Sequence, residues 1–154
     1  MYYQTMQKGL ALVGERYLLD RELAGLDNYA KTFARRLSVY NILKTHEEKI
    51  IRETLSKFTQ TDAEFMEQYR ATCMRDFHFV IQMVAQALLT DNHSGFTDSM
   101  LWFQNILRSV HKEAQAAKGY KILQGVVASH LPPAGTALID PYFQQMIEMM
   151  SLPV

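Results

Sequence analysis

Ala71-Thr72-Cys73-Met74-Arg75-Asp76-Phe77-His78-Phe79 is the stretch on which the fold turns. It lies inside a segment of helical spacing from about Asp62 to Leu89 that contains neither glycine nor proline, with Thr61 and Glu64 forming a capping-box pattern at its start. This segment is expected to be the longest helix of the chain. Within it Cys73 and Asp76 are about 300 degrees apart around the axis, on neighbouring turns of one side, and Arg75 is about 200 degrees from Cys73 and about 100 from Asp76. A bulky ligand meeting Cys73 and Asp76 centrally would find Arg75 at its rim. By spacing alone Cys73 reads more readily as a small buried hydrophobe, Arg75 as a partner for another helix and Asp76 as a surface acid.

Helical periodicity extends to both sides. Tyr3 to Val13 has Met6 and Leu10 on one side, and Arg21 to Lys31 carries Leu23, Leu26 and Ala30. From about Thr32 to Phe58, apolar residues recur at spacings near three and four, with Arg35, Arg36, Lys44, Glu47, Glu48 and Arg52 as the expected solvated face. Asp91, Asn92, Ser94 and Gly95 are expected to interrupt the chain before a helix from about Thr97 to His111, which has apolar residues on more than one side. Lys118 to Leu131 follows, ended by Pro132 and Pro133; Ala134 to Ile139 reads as a connection, and Asp140 as the cap of a last helix with Pro141 in its first position. Asn-Gly and Asp-Gly turns and sustained period-two alternation are absent, so no hairpin competes. The expectation is one all-α domain over residues 1–154, with residues 1–31 as an N-terminal helical extension and 32–154 as the core.

Composition narrows the function classes. A chain of 154 residues is long enough to bury a core without metal or disulfide staples, and its single cysteine rules out an intrachain disulfide. Sixteen Lys+Arg balance sixteen Asp+Glu, so nothing in the charge calls for nucleic acid. Charges recur too often for a membrane span, and the first ten residues lack a secretory signal pattern, which makes cytoplasmic residence the expectation. No His-Glu-x-x-His motif, nucleophile elbow or phosphate-cradling glycine loop occurs, so the chain is not expected to be an enzyme. The five histidines are scattered; His78 and His111 are expected nearest the Cys73 site. Because haem iron needs only one axial imidazole from the protein, haem binding and a chromophore-free structural or signalling role stand as rival functions.

The chemistry that uses Cys73, Arg75 and Asp76 together is that of a linear tetrapyrrole. Its vinyl or ethylidene carbon is open to a thiol, its pyrrole N–H groups need an acceptor such as Asp76, and its propionates pair with a cation such as Arg75. Phe77 and Phe79 would cover its apolar faces.

Cys73-Met74-Arg75-Asp76 also resembles the Cys-x-Arg-Asp chromophore segment of the phycobilisome proteins, the phycocyanin and allophycocyanin family, and Ala71-Thr72 before it is similar. Arg16-Tyr17-Leu18 with Glu22-Leu23, Arg35-Arg36-Leu37, Ala87-Leu88-Leu89-Thr90-Asp91, Ile106 to Glu113, Gly125-Val126-Val127-Ala128 and Tyr142-Phe143 follow in the family order, so the resemblance spans roughly residues 12 to 150. It implies a globin-like phycobiliprotein fold and a phycocyanobilin- or biliverdin-like cofactor held by Thr72, Cys73, Arg75, Asp76, Phe77, Phe79 and His111, covalently at Cys73 where it is attached. It also implies a homodimer or a heterodimer with a related subunit, and dealings with a bilin lyase, haem oxygenase or bilin reductase. Three departures separate the chain from light-harvesting members. Val80 replaces an aromatic residue, His111 stands near the place of a pocket tyrosine, and the Thr59 to Asp62 connection is short. They match relatives concerned with bilin biosynthesis and handling at least as well as antenna subunits.

Overall fold

A computed structural model describes residues 7, 8, 11 and 16–153 of the chain. It contains five long helices: α1 (Asp20–Thr61), α2 (Ala63–Thr90), α3 (His93–Ser109), α4 (Glu113–His130) and α5 (Pro133–Ser151). Among the described residues there is no strand. This agrees with the all-α, globin-like expectation. The expected helix over Tyr3 to Val13 lies outside the described residues, apart from Gln7, Lys8 and Ala11, which are helical and exposed.

Helix α1 is one rod of 42 residues, not two segments broken near Lys31, and it displaces α2 as the longest helix. No residue between Asp20 and Thr61 is glycine or proline except Gly25, so nothing forces a break. Its start is clamped. The Glu22 carboxylate accepts the Leu19 amide at 2.7 Å, and Arg16 grips both carboxylate oxygens at 2.8 and 3.0 Å. Those bonds hold the Glu22 carboxyl down at about 2. Buried side chains begin only at Arg36, so residues 20–35 of α1 give nothing to the core.

Two residues assigned to the solvated face are in fact buried. Arg36, 3% exposed, lies over the Tyr29 ring at 4.3 Å and donates to the Tyr29 carbonyl at 2.9 Å and the Leu89 carbonyl at 3.1 Å. Leu89 sits in the last turn of α2, where unpaired carbonyls and the helix dipole favour a cation. Glu47 is buried between Lys44 and His78, each 3.0 Å away. Burial pushes the Glu47 carboxyl up, but the hydrogen bonds from His78 and Lys44 outweigh it and leave it below its ordinary value.

Capping chemistry sets the remaining boundaries. Thr61 still belongs to α1, so the α1–α2 corner is Asp62 alone, whose carboxylate accepts the Phe65 amide at 3.3 Å. The capping pair expected at Thr61 and Glu64 is thus one residue out of register. Asp91, left-handed at φ 52°, closes α2, and Asn92 caps α3 through the Gly95 amide. A Cβ on Gly95 would run into the capping Asn92 side-chain amide, so glycine belongs to this cap and Ser94-Gly95 does not interrupt the helix. Pro133 begins α5 in the first turn, where a missing amide costs nothing, and the expected Ala134–Ile139 connection is helical. Pro141 lies inside α5, with Ile139, Tyr142, Phe143 and Met146 buried on both sides of it, so core packing carries the helix past the lost hydrogen bond.

The core runs between these helices. α1 packs chiefly on α2 and α4, and α4 on α5. Ile50, Val80, Ala85, Met100, Leu123, Val126 and Met146 are completely buried.

Candidate functional site

Where the middle of α2 faces α3 and the start of α4, the packing leaves a cavity of about 560 Å³. That lies within the roughly 300–1,000 Å³ of small-molecule sites. Helix α2 contributes Thr72, Cys73, Arg75, Asp76, Phe77 and Phe79 to its wall. Six of the seven residues expected from the sequence are thereby brought together. Val80 is not among them: it is wholly buried in the core behind the site.

His111, the seventh, stands outside. It adopts a left-handed conformation at φ 55°, its amide bonded to the Arg108 carbonyl, and it ends α3 with its side chain exposed. A left-handed residue after the last helical turn is a chain-terminating device, which explains its place without a ligand. His78 also misses the cavity, because its Nδ1 is held 3.0 Å from Glu47 on α1 and its Nε2 lies 3.6 Å from Glu48. Among the described residues no histidine lines the cavity, so neither imidazole named for haem ligation faces it.

Electrostatics make the α2 wall reluctant to hold charge. Burial, reinforced by the Asp76 carboxylate, pushes the Cys73 thiol up to about 11. Burial likewise lifts the Asp76 carboxyl above its ordinary value, although Arg75 opposes the shift from 3.7 Å. Arg75 is 77% exposed, at the rim where an anionic appendage would leave the cavity. Tyr120 on α4 is buried, and its ionisation is opposed by that burial and by Asp76 and Cys73, so it faces this pair as a neutral phenol. A partly buried acceptor, a neutral thiol and a neutral phenol suit a ligand that brings N–H donors and a protonated, delocalised cation.

Aromatic and aliphatic side chains complete the walls. Phe79 meets Trp102 edge-on at 6.2 Å and Phe103 at 5.2 Å. Trp102 and Val110 are more than half exposed, and Ile106 lies between them at helical spacing, making an apolar rim along α3. The sequence carried a signal for this rim in the second apolar side of α3, which ordinary core packing does not need. Lys112, Gln115, Gly119 and Tyr120 enter from α4 and its cap with no motif that marks them. Gly119 is required by close approach: a Cβ there would meet Phe58 at 3.0 Å and Phe77 at 3.1 Å.

Residues 13–150 match the family described as phycobilisome protein. The allophycocyanin alpha chain of Thermosynechococcus vestitus is 23% identical over 145 residues, covering 88% of this chain and 90% of that protein. The allophycocyanin alpha-B chain of Cyanophora paradoxa is 21% identical over 146 residues, with 88% and 90% covered. The putative allophycocyanin subunit alpha 2 of a Nostoc species is 20% identical over 145 residues, with the same shares covered.

Proposed function

The chain belongs to the phycobilisome protein family, and from that premise we propose that its cavity holds a linear tetrapyrrole for handling or carriage. The observation that carries this reading is the cavity of about 560 Å³ with Thr72, Cys73, Arg75, Asp76, Phe77 and Phe79 on one wall. Asp76 accepts the inner pyrrole N–H groups, Arg75 meets a propionate at the rim, and Phe77 and Phe79 cover the conjugated faces. The family is non-catalytic, and an enzymatic role is not part of the reading.

Attachment at Cys73 is addition of S–H across an exocyclic C=C. Sulfur bonds one carbon, the π bond breaks, and the thiol proton ends on the neighbouring carbon, with no change in redox state. The thiolate is the competent nucleophile, and with the thiol up at about 11 only about one in ten thousand is ionised at pH 7. Unassisted attachment is therefore slow, and a lyase is the partner that would supply a base. The exposed apolar rim of Trp102, Ile106 and Val110 leaves a side by which an unattached ligand exchanges. These two features favour handling over permanent light harvesting.

The test is loading with biliverdin or phycocyanobilin, without lyase, followed by a chase with excess apo acceptor. The expected result is a bound chromophore that is weakly fluorescent, transfers within minutes, and leaves the Cys73 peptide at its unmodified mass. Cys73→Ala should bind almost as well as the parent. A spontaneous Cys73 adduct with strong fluorescence and no exchange over hours would restore the antenna role, and a protein that stays colourless would reject bilin binding.

Pairing with a second copy or a related subunit is part of the same reading. Tyr17 is 97% exposed, and Leu19 and Leu23 are 45% and 48% exposed, beside a stretch of α1 that adds nothing to the core. Two-fold pairing covers such a face without creating another. The face expected from helical spacing is Met6, Leu10, Leu23 and Leu26; Met6 and Leu10 lie outside the described residues, and Leu26 is partly buried. Sedimentation over a hundredfold concentration range should reveal a dimer, or a monomer that pairs with an allophycocyanin-type subunit, and Leu23→Glu should weaken either. A parent that stays monomeric with every such subunit, or a variant that assembles as well as the parent, would refute the interface.

A further inference from the structure

Tyr120 and Tyr142 are both 2% exposed, but their hydroxyls are differently placed. Tyr142 on α5 donates to the Ala87 carbonyl at 3.2 Å and stands 3.3 Å from His93 Nε2. Tyr120, in the second turn of α4, lines the cavity, and its hydroxyl has no hydrogen bond to any of the described residues. Yet that hydroxyl is not one of the side-chain oxygens sealed from solvent. In a residue so deeply buried, the opening left to it is onto the cavity that the side chain lines. The ring is held in place, edge-on to Phe77 at 6.4 Å, on a helix that Gly119 lets approach Phe58 and Phe77 closely. A buried hydroxyl without a protein partner is uncommon in native proteins, and this one is open only to what the cavity takes in.

We propose that Tyr120 is a specificity-determining residue of the cavity, its hydroxyl donating to a lactam carbonyl of the ligand and so favouring an open tetrapyrrole over a closed one. This deepens the bilin reading and rests on it. A phenol can donate or accept, and the surroundings decide between the two. Burial, and then Asp76 and Cys73, oppose negative charge on the Tyr120 oxygen, so the phenol keeps its proton and has it to donate. The Asp76 charge that disfavours a phenolate also turns away an ionised propionate, which finds its cation in Arg75 at the rim. A neutral acceptor remains, and on a tetrapyrrole that is a lactam carbonyl. A closed macrocycle such as haem carries carboxylates but no lactam, because lactam ends arise only when the ring is opened. Asp76 reads N–H groups and Tyr120 reads the carbonyl, from different helices of one cavity.

Titrations with biliverdin, biliverdin dimethyl ester and ferric haem, read by absorbance, test this in the full chain. Tyr120→Phe removes one oxygen and keeps the ring. It should weaken biliverdin and its dimethyl ester alike, each about tenfold, and leave haem within about twofold. The lactam C=O stretch of bound biliverdin should move to higher frequency in the variant, a signature that a merely structural tyrosine would not produce. The apo variant should melt within about 2 °C of the parent, because no bond inside the protein is lost. Tyr142→Phe supplies the reverse pattern, a Tm about 2–4 °C lower with unchanged affinity, because that hydroxyl is bonded within the protein. A loss for biliverdin but not for its dimethyl ester would assign the hydroxyl to a propionate and overturn the lactam contact, and an equal loss for haem would overturn the selectivity. Biliverdin affinity within about twofold of the parent in Tyr120→Phe would remove Tyr120 from the binding surface while leaving the bilin reading intact. A parent that binds no biliverdin would overturn both, and is recognised because the failure lies in the parent.

Discussion

Asp76→Asn should lower bilin affinity about tenfold to a hundredfold, move the visible band, and at the same time make Cys73 more reactive. The first effect follows from the ligand's side. Pyrrole N–H groups buried without their anionic acceptor cost about 1–3 kcal/mol, and a protonated chromophore also loses its counter-charge. The second follows from the protein's side. Burial is the main reason that the thiol stands at about 11, and the Asp76 carboxylate adds to it, so removing that charge brings the thiol down without restoring its ordinary value. Iodoacetamide labelling of the apo protein against pH should therefore have its midpoint below that of the parent.

Stability moves in a third direction. The Asp76 carboxyl is raised in the folded protein, so the native state binds this proton more tightly than the unfolded chain does. Its contribution to stability is present at pH below the unfolded value and fades as pH rises through the folded one. At neutral pH the asparagine variant loses no stabilising carboxylate and should melt at or above the parent temperature. Equal holo spectra and equal labelling midpoints in the two proteins would remove Asp76 from the site.

How far the sequence reached is best seen on two helices. On α2 the six expected cavity residues, Thr72 to Phe79, lie within eight residues of one another, and local spacing suffices to place Cys73 and Asp76 together, whereas Tyr69 and Phe65, one and two turns earlier, are not marked. On α4 nothing local marks Lys112, Gln115 or Tyr120; they face the same cavity only because α3 ends at the left-handed His111 and sends the chain back across it. Reading His111 as a pocket residue mistook a chain reversal for a ligand contact. His78 failed for another reason. Its partners, Glu47 and Glu48, are thirty or more residues away on α1, and periodicity assigned both to solvent. Arg36 carries the same lesson: a cation that lands on the exposed carbonyls of another helix is indistinguishable from a surface arginine until the two helices are packed.

The largest loss of stability should come from Phe77→Ala, at about 3–5 kcal/mol, or a fall of about 6–20 °C in Tm. Phe77 is 3% exposed and forms the partition between cavity and core. Its ring stands edge-on to Tyr120 at 6.4 Å and beside Phe58 at 6.5 Å, and it is so close under Gly119 that a Cβ there would touch it at 3.1 Å. Truncation removes the aromatic contacts and joins new empty volume to a space already about 560 Å³ in size. The backbone can relax little to refill it, because α1, α2 and α4 meet here. Phe77→Leu, which keeps most of the apolar volume, should lose much less, and so separates the cavity effect from loss of the ring. Bilin supplies the decisive comparison. A ligand that occupies the space beside Phe77 stabilises the folded state by about 2.7 kcal/mol at a hundred times its Kd, so saturating bilin should recover a large part of the lost Tm in the alanine variant. If Phe77→Ala costs under about 1 kcal/mol, the partition does not bear on the fold. If saturating bilin stabilises the parent but leaves the variant unchanged, the contact of the Phe77 ring with the ligand outweighs the space it leaves, and the cavity does not take its ligand without that ring.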